Sequence, residues 1–160
     1  MRNSTNIDTA SRQWSSRPAD QRYTTLEELK ASVLQRRRES WTATPATNQL
    51  RVLPSQKGEI QVEVFDPTVG EKRSLDVNNW SFGQLSQYAS APAAYLRKLP
   101  AELAAINLQW GLEHAPVRDN TLVLGQSNGS HTLRSLTSIS YGRIWDHQVV
   151  EAVERVNADG

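Results

Sequence analysis

Apolar side chains between residues 25 and 39 recur at helical spacing, with Leu26, Leu29, Val33 and Leu34 on one stripe. Thr25 and Glu28 stand at the distance of a capping box, so a helix over about 25–39 is predicted. The pattern then changes period. In LRVLPSQKGEIQVEVFD, Ile60, Val62 and Val64 alternate with Gln61 and Glu63, as on a half-buried strand, and Ser55–Gly58 supplies a turn, which together predict a β-hairpin. Asp66-Pro67-Thr68-Val69-Gly70 is a second turn signal, and Glu71–Val77 follows as a short third strand. Thr42–Gln49, rich in Thr and broken by Pro45, is expected to be a linker.

Three short helices come next. Asn79 is the expected cap of the first, whose Phe82, Leu85 and Tyr88 share a face, and the Ala91-Pro92 step ends it because the residue before proline avoids the helical region. Pro92 and Pro100 suit the first position of the two helices that follow, PAAYLRKL and PAELAAINLQWGL. Thr121–Gln126 and His131–Ile139 flank an Asn128-Gly129 turn, predicting a second hairpin. Val149, Val150 and Val153 place a closing helix over about 146–156, with Asp146 as its cap. The expected fold is therefore α+β: an N-terminal helix, two β-hairpins in one antiparallel sheet, a central block of short helices and a C-terminal helix. Residues 1–22, rich in Ser, Thr, Asn, Arg and Asp, are expected to form a flexible arm anchored by Trp14, and 23–160 a single domain.

Composition narrows the class. At 160 residues, 38% hydrophobic and 22% charged, the chain has the makeup of a soluble globular protein, and no apolar run reaches the roughly 18 residues of a membrane span. The N-terminus carries no apolar stretch of the kind found in secretory leaders, which sets the expectation of a cytoplasmic protein. The absence of cysteine excludes disulfides, thiolate nucleophiles and cysteine-held zinc. A net charge of +1 conceals a mildly basic first quarter, with eight Arg/Lys against five Asp/Glu in residues 1–40.

Catalytic signatures are missing. His114, His131 and His147 have no metal-ligand spacing, and the carboxylates Glu59, Glu63, Asp66 and Glu71 are accounted for by a solvated strand face and a turn. No phosphate-binding glycine loop or G-x-S-x-G elbow occurs. No enzymatic activity, cofactor or metal is expected. Two groups have the composition of binding surfaces instead. Arg36, Arg37 and Arg38 close the first helix beside Trp41, combining phosphate neutralisation with a stacking ring, and Arg134, Tyr141, Arg143 and Trp145 gather around the exit of the last strand. These eight residues are the candidate nucleic-acid-binding set. Arginine and aromatic residues also dominate protein-interface hot spots, so a protein partner is the alternative.

The segments NNWSFGQLSQYASAPAAYLRKLPAELAAINLQWGL and LRSLTSISYGRIWDHQVVEAV, with ASRQWSSRPADQRYTTLEEL before them, resemble the phage/plasmid-like proteins grouped as domain of unknown function 932. The resemblance implies a mobile-element protein in the cytoplasm of a bacterial host cell, as an N-terminal portion or a shortened relative of longer family members. It supplies no catalytic residues. Two functions are expected in that context: a non-enzymatic bacteriophage protein binding nucleic acid, as single strands in replication or recombination and as a homo-oligomer, or an anti-defence protein, such as an anti-CRISPR-type inhibitor, that binds and blocks a host protein complex.

Overall fold

The structure is a computed structural model that describes residues 22–118, 121–127 and 131–158. The expected arm with Trp14 and the Asn128-Gly129 turn lie outside these residues. Among the described residues the fold is α+β, with five helices and a six-stranded sheet. The described residues fall into two compact units, 22–37 with 144–158 and 38–143.

The larger unit holds the sheet. Its strands β1 (Ser40–Ala43), β2 (Arg51–Pro54), β3 (Ile60–Asp66), β4 (Glu71–Val77), β5 (Thr121–Ser127) and β6 (His131–Ser138) lie in the order β1-β5-β6-β4-β3-β2. Both hairpins form, β2/β3/β4 as an antiparallel meander and β5/β6 as an antiparallel pair. They meet in parallel, through Asp76↔Thr132 and Val77↔Leu133, so the sheet is mixed rather than wholly antiparallel. The four residues of β1 pair antiparallel with β5, Trp41 opposite Gly125, at the start of what the Thr-rich composition marked as linker.

Alternation in β3 sets the inner face. Ile60, Val62, Val64 and Asp66 are buried, while Gln61 and Glu63 are half-exposed and Phe65 is exposed. Asp66 is a carboxylate in the fourth inward position, and its partners explain how it stays there. It accepts from the Thr68 backbone N–H at 2.8 Å and from the Thr68 hydroxyl, and pairs with Arg73 Nε at 2.8 Å, closing the β3/β4 turn.

Helices α2 (Asn79–Tyr88), α3 (Ala93–Leu96) and α4 (Ala101–His114) contribute to the same core. Phe82, Leu85 and Ala89, Leu96, and Ala104, Ala105, Leu108 and Leu112 pack with Val52, Val62, Val64, Leu75, Val123, Leu133 and Leu136 of the strands. Each fully buried leucine contributes about 1.5–3 kcal/mol relative to exposure. The cap of α2 is Asn78, one residue before the expected Asn79. Its side-chain oxygen accepts from Ser81 N–H at 2.8 Å and the Ser81 hydroxyl returns to Asn78 N–H at 3.0 Å, so the serine three residues on decides between two adjacent asparagines. α2 ends in a Schellman motif: Ala91 N–H donates to Ser86 C=O at 2.9 Å and Ser90 N–H to Gln87 C=O at 3.1 Å, with Ser90 at a φ of 52° where glycine is usual.

The smaller unit pairs α1 (Leu26–Glu39), up to Arg37, with α5 (Asp146–Ala158). Lys30 meets Glu154 at 2.8 Å and Arg36 meets Asp146 at 3.7 Å, so the helices run antiparallel. Val33 and Val150 are their buried residues. The Glu154 carboxylate holds the Lys30 ammonium above its ordinary range. The expected capping box at the start of α1 is split over two threonines: the Thr25 hydroxyl accepts from Glu28 N–H at 3.1 Å, and the Glu28 carboxylate accepts from the Thr24 N–H and hydroxyl, both at 3.0 Å. Asp146 lies in the first turn of α5 rather than before it, and the N–H of the preceding Trp145 is taken by Gln148 Oε1 at 2.8 Å.

Candidate functional site

Helix α4 is apolar on two sides. Its inner positions are small residues and leucines, Ala104, Ala105, Leu108, Gly111 and Leu112, which let the helix lie close on its neighbours. Gly111 marks the closest approach: a Cβ there would stand 2.8 Å from Ala89 Cβ, and nearer still to the Ala89 carbonyl oxygen. A second stripe, Leu103, Ile106 and Trp110, follows helical spacing on the outer side, and these side chains are 49%, 64% and 62% exposed. A surface helix ordinarily keeps one apolar stripe and turns polar residues outward, so a second exposed apolar stripe marks a surface suited to a partner.

Beside the stripe runs a groove of about 770 Å³ between α4 and the edge strand β2. Ile106, Trp110 and Ala105 line one side and Val52, Leu53 and Pro54 the other. Its charges are sorted by wall, Glu102 and Glu113 on the helix and Arg51 and Lys72 on the strands. Gln109 bridges the walls: its Oε1 accepts from Val52 N–H at 2.7 Å while its Nε2 donates to Glu113 at 2.7 Å. Because amide directions alternate along a strand, Val52 and Pro54 are the β2 residues that face away from β3. One donates to Gln109 and the other, being proline, has no N–H to give, so this edge is closed to an incoming strand. At the far end of α4, His114 stacks on Trp110, with ring centroids 4.2 Å apart. His114 Nδ1 is 2.8 Å from the Trp110 carbonyl oxygen, which only accepts, so this nitrogen carries the proton, and the contact holds both rings in place.

The eight residues marked by sequence are divided between the two units. In the smaller unit the Arg37 guanidinium lies over the Trp145 ring at 4.2 Å and Arg36 faces Asp146, so both cations are engaged between α1 and α5. In the larger unit Arg38 and Arg134 are exposed, Arg143 is half-buried and Tyr141 is 63% exposed. Trp41 is in the core. Its indole covers Gly125, where a Cβ would lie 2.8 Å from Nε1 and closer to two ring carbons, so it does not provide an open stacking face. The three histidines sit on separate elements, α4, β6 and α5, and no group of three or more His, Cys, Asp or Glu among the described residues is placed to hold a metal ion. None of the described helices is long and apolar enough to cross a membrane.

The α4 stripe was visible in the sequence as Leu103, Ile106 and Trp110, but within AELAAINLQWGL it could not be separated from the core positions. Side-chain size separates them only in part: the inward face carries Ala104, Ala105 and Gly111, but Leu108 and Leu112 there match the outer residues in size. No protein-family model matches the chain, and comparison with curated proteins and with solved structures likewise gives no match. The resemblance to the domain of unknown function 932 therefore rests on its sequence segments alone.

Proposed function

We propose that this chain is a non-enzymatic protein-binding module that seats an amphipathic helix of a partner protein in the groove between α4 and β2. The observation that carries this reading is the exposed Leu103/Ile106/Trp110 stripe beside the groove. The closed β2 edge favours a helical occupant over an added strand. The sorting of charge asks for a helix with basic residues toward Glu102 and Glu113 and acidic residues toward Arg51 and Lys72. In the mobile-element setting that the resemblance implies, the partner is a host protein and the bound chain blocks it.

The test is capture of partners from a bacterial lysate by the wild-type chain and by Ile106→Glu and Trp110→Ala, followed by titration of the purified partner. An interface tryptophan at the centre of such a patch is worth about 2 kcal/mol or more, a loss of roughly thirtyfold in affinity. A partner bound equally well by both variants would overturn the reading. Nucleic-acid binding is the second reading, favoured by the exposed positions of Arg38, Arg134 and Tyr141. It requires binding to single strands that weakens steeply with salt and is lost when these three are replaced together.

A further inference from the structure

A second concavity, independent of the α4 groove, lies in the larger unit where the end of α2 meets the exit of β6. It is a cleft of about 430 Å³ lined by Tyr88, Arg118, Ser138, Ser140 and Tyr141, with the side chains of Gln84 and Gln87. We infer that this cleft binds a planar ring carrying an anionic group, the chemistry of a nucleoside phosphate.

Three observations converge on that ligand. The first is charge: among the described residues Arg118 is the one formally charged residue in the lining and no carboxylate joins it there, so an anion is favoured over a cation. The α4 groove, by contrast, balances two acids against two bases. The second is the pairing of cation with rings. The Arg118 guanidinium sits over the Tyr88 ring at 4.8 Å, and Tyr141 stands at the rim, 63% exposed, so a flat ligand finds aromatic surface next to a planar fork suited to phosphate or carboxylate oxygens. The hydroxyls of Ser138 and Ser140 and the amide of Gln87 add polar groups suited to a sugar or a base edge.

The third is preorganisation. Arg118 follows α4 in an irregular stretch, yet its backbone is fixed at both ends of one peptide exchange: its N–H donates to Thr47 Oγ1 at 3.1 Å and its carbonyl accepts from Thr47 N–H at 3.1 Å. Thr47 itself is buried. Gln84 Oε1 accepts from Leu136 N–H at 3.0 Å and ties α2 to β6 across the cleft. Tyr141 is carried on a turn closed by its own N–H to Ser138 C=O at 3.0 Å and by Ser140 N–H to Ser138 Oγ at 3.2 Å. The groups that would touch the ligand are thus set on backbone already paid for by folding.

The test is titration of the full chain with adenosine 5′-monophosphate, adenosine, inorganic phosphate and a short single-stranded oligodeoxyadenylate, following the ring resonances of Tyr88 and Tyr141 by NMR. The monophosphate is expected to bind about tenfold or more tightly than either adenosine or phosphate. Arg118→Gln, which leaves the backbone bonds to Thr47 intact, is expected to remove that advantage while leaving the weak response to adenosine, and Tyr141→Ala to weaken both. A monophosphate that binds no better than its parts, or Arg118→Gln that binds it as well as wild type, would overturn the inference. Tighter, salt-sensitive binding of the oligonucleotide identifies a strand as the source of the ligand, and equal binding identifies the free nucleotide. Trp110→Ala leaves nucleotide binding unchanged, so failure here and failure of the protein-binding reading are separable.

Discussion

Replacing Gly111 and Gly83 by alanine, one at a time, tests how closely α2 and α4 approach. Both glycines lie inside helices, where alanine is favoured over glycine by about 1 kcal/mol. Their surroundings differ. At Gly83 the nearest atom to an added Cβ is Arg97 Nη2 at 3.8 Å, an ordinary contact with the end of a flexible side chain, so Gly83→Ala is expected to stabilise by up to about 1 kcal/mol. At Gly111 the Cβ would press on the Ala89 backbone, with the carbonyl carbon at 3.0 Å and the oxygen closer. That atom cannot swing away, because Ala89 is the C-cap of α2 and its own N–H is bonded to Leu85 C=O at 2.9 Å. Overpacking of this kind costs typically about 1–3 kcal/mol, and against rigid backbone the upper end applies, so a net loss of about 1–2 kcal/mol remains after the propensity gain. For a unit of this size each kcal/mol corresponds to about 4–8 °C in melting temperature, giving a fall of roughly 4–16 °C for Gly111→Ala and a rise for Gly83→Ala. Thermal melts by circular dichroism with matched urea titrations measure both. A Gly111→Ala protein that melts at or above wild type would refute the close approach of α4 to the end of α2, and with it the placing of the α4 outer stripe.

Ser90→Gly is expected to stabilise by about 0.5–1 kcal/mol, since Ser90 holds a positive φ that glycine adopts without strain, and an unchanged or lower urea midpoint would count against the Schellman geometry at this helix end. The Glu28 carboxyl, held below the usual glutamate range by the Thr24 backbone N–H and then by its hydroxyl, contributes stability that is complete above that range and is lost as the pH falls through its lowered value. Glu28→Gln is therefore expected to flatten the acid limb of the stability profile, and an NMR titration placing the Glu28 carboxyl at or above the value of an unfolded peptide would contradict the hydrogen bonds at the start of α1.

Local signals in the sequence reached much of the architecture. The alternation in Ile60–Asp66 and the Thr25/Glu28 spacing act through neighbours within a few residues and appear in the structure, while Pro92 and Pro100 open α3 and α4 one position earlier than expected, as N-caps rather than first helical residues. What escaped depends on partners far along the chain. β1 is only four residues long and is a strand because Gly125 leaves room for Trp41, a match between positions 84 residues apart. The parallel meeting of β4 and β6 is decided after three helices have intervened. The candidate sites divide the same way. The arginines at 36 and 37 look like a free cationic patch in sequence, yet they meet Asp146 and Trp145, more than a hundred positions away. Arg118 drew no notice, and Tyr88 only as part of an apolar helix face, because neither belongs to a cluster until the fold brings them together.

The parallel seam bears on how the chain is made. β2, β3 and β4 can pair as soon as they emerge from the ribosome, but the neighbour of β4 is β6, and between Val77 and Leu133 lie 55 residues. At a typical 5–20 residues per second that is roughly 3–11 s during which β4 is an open edge in a crowded cell. Its sequence, EKRSLDV, puts four charged residues among seven, with Leu75 alone turned fully inward. Such a strand resists pairing with a stranger. Charge that looks wasted in the interior of a finished sheet protects the nascent one until its own last strand arrives.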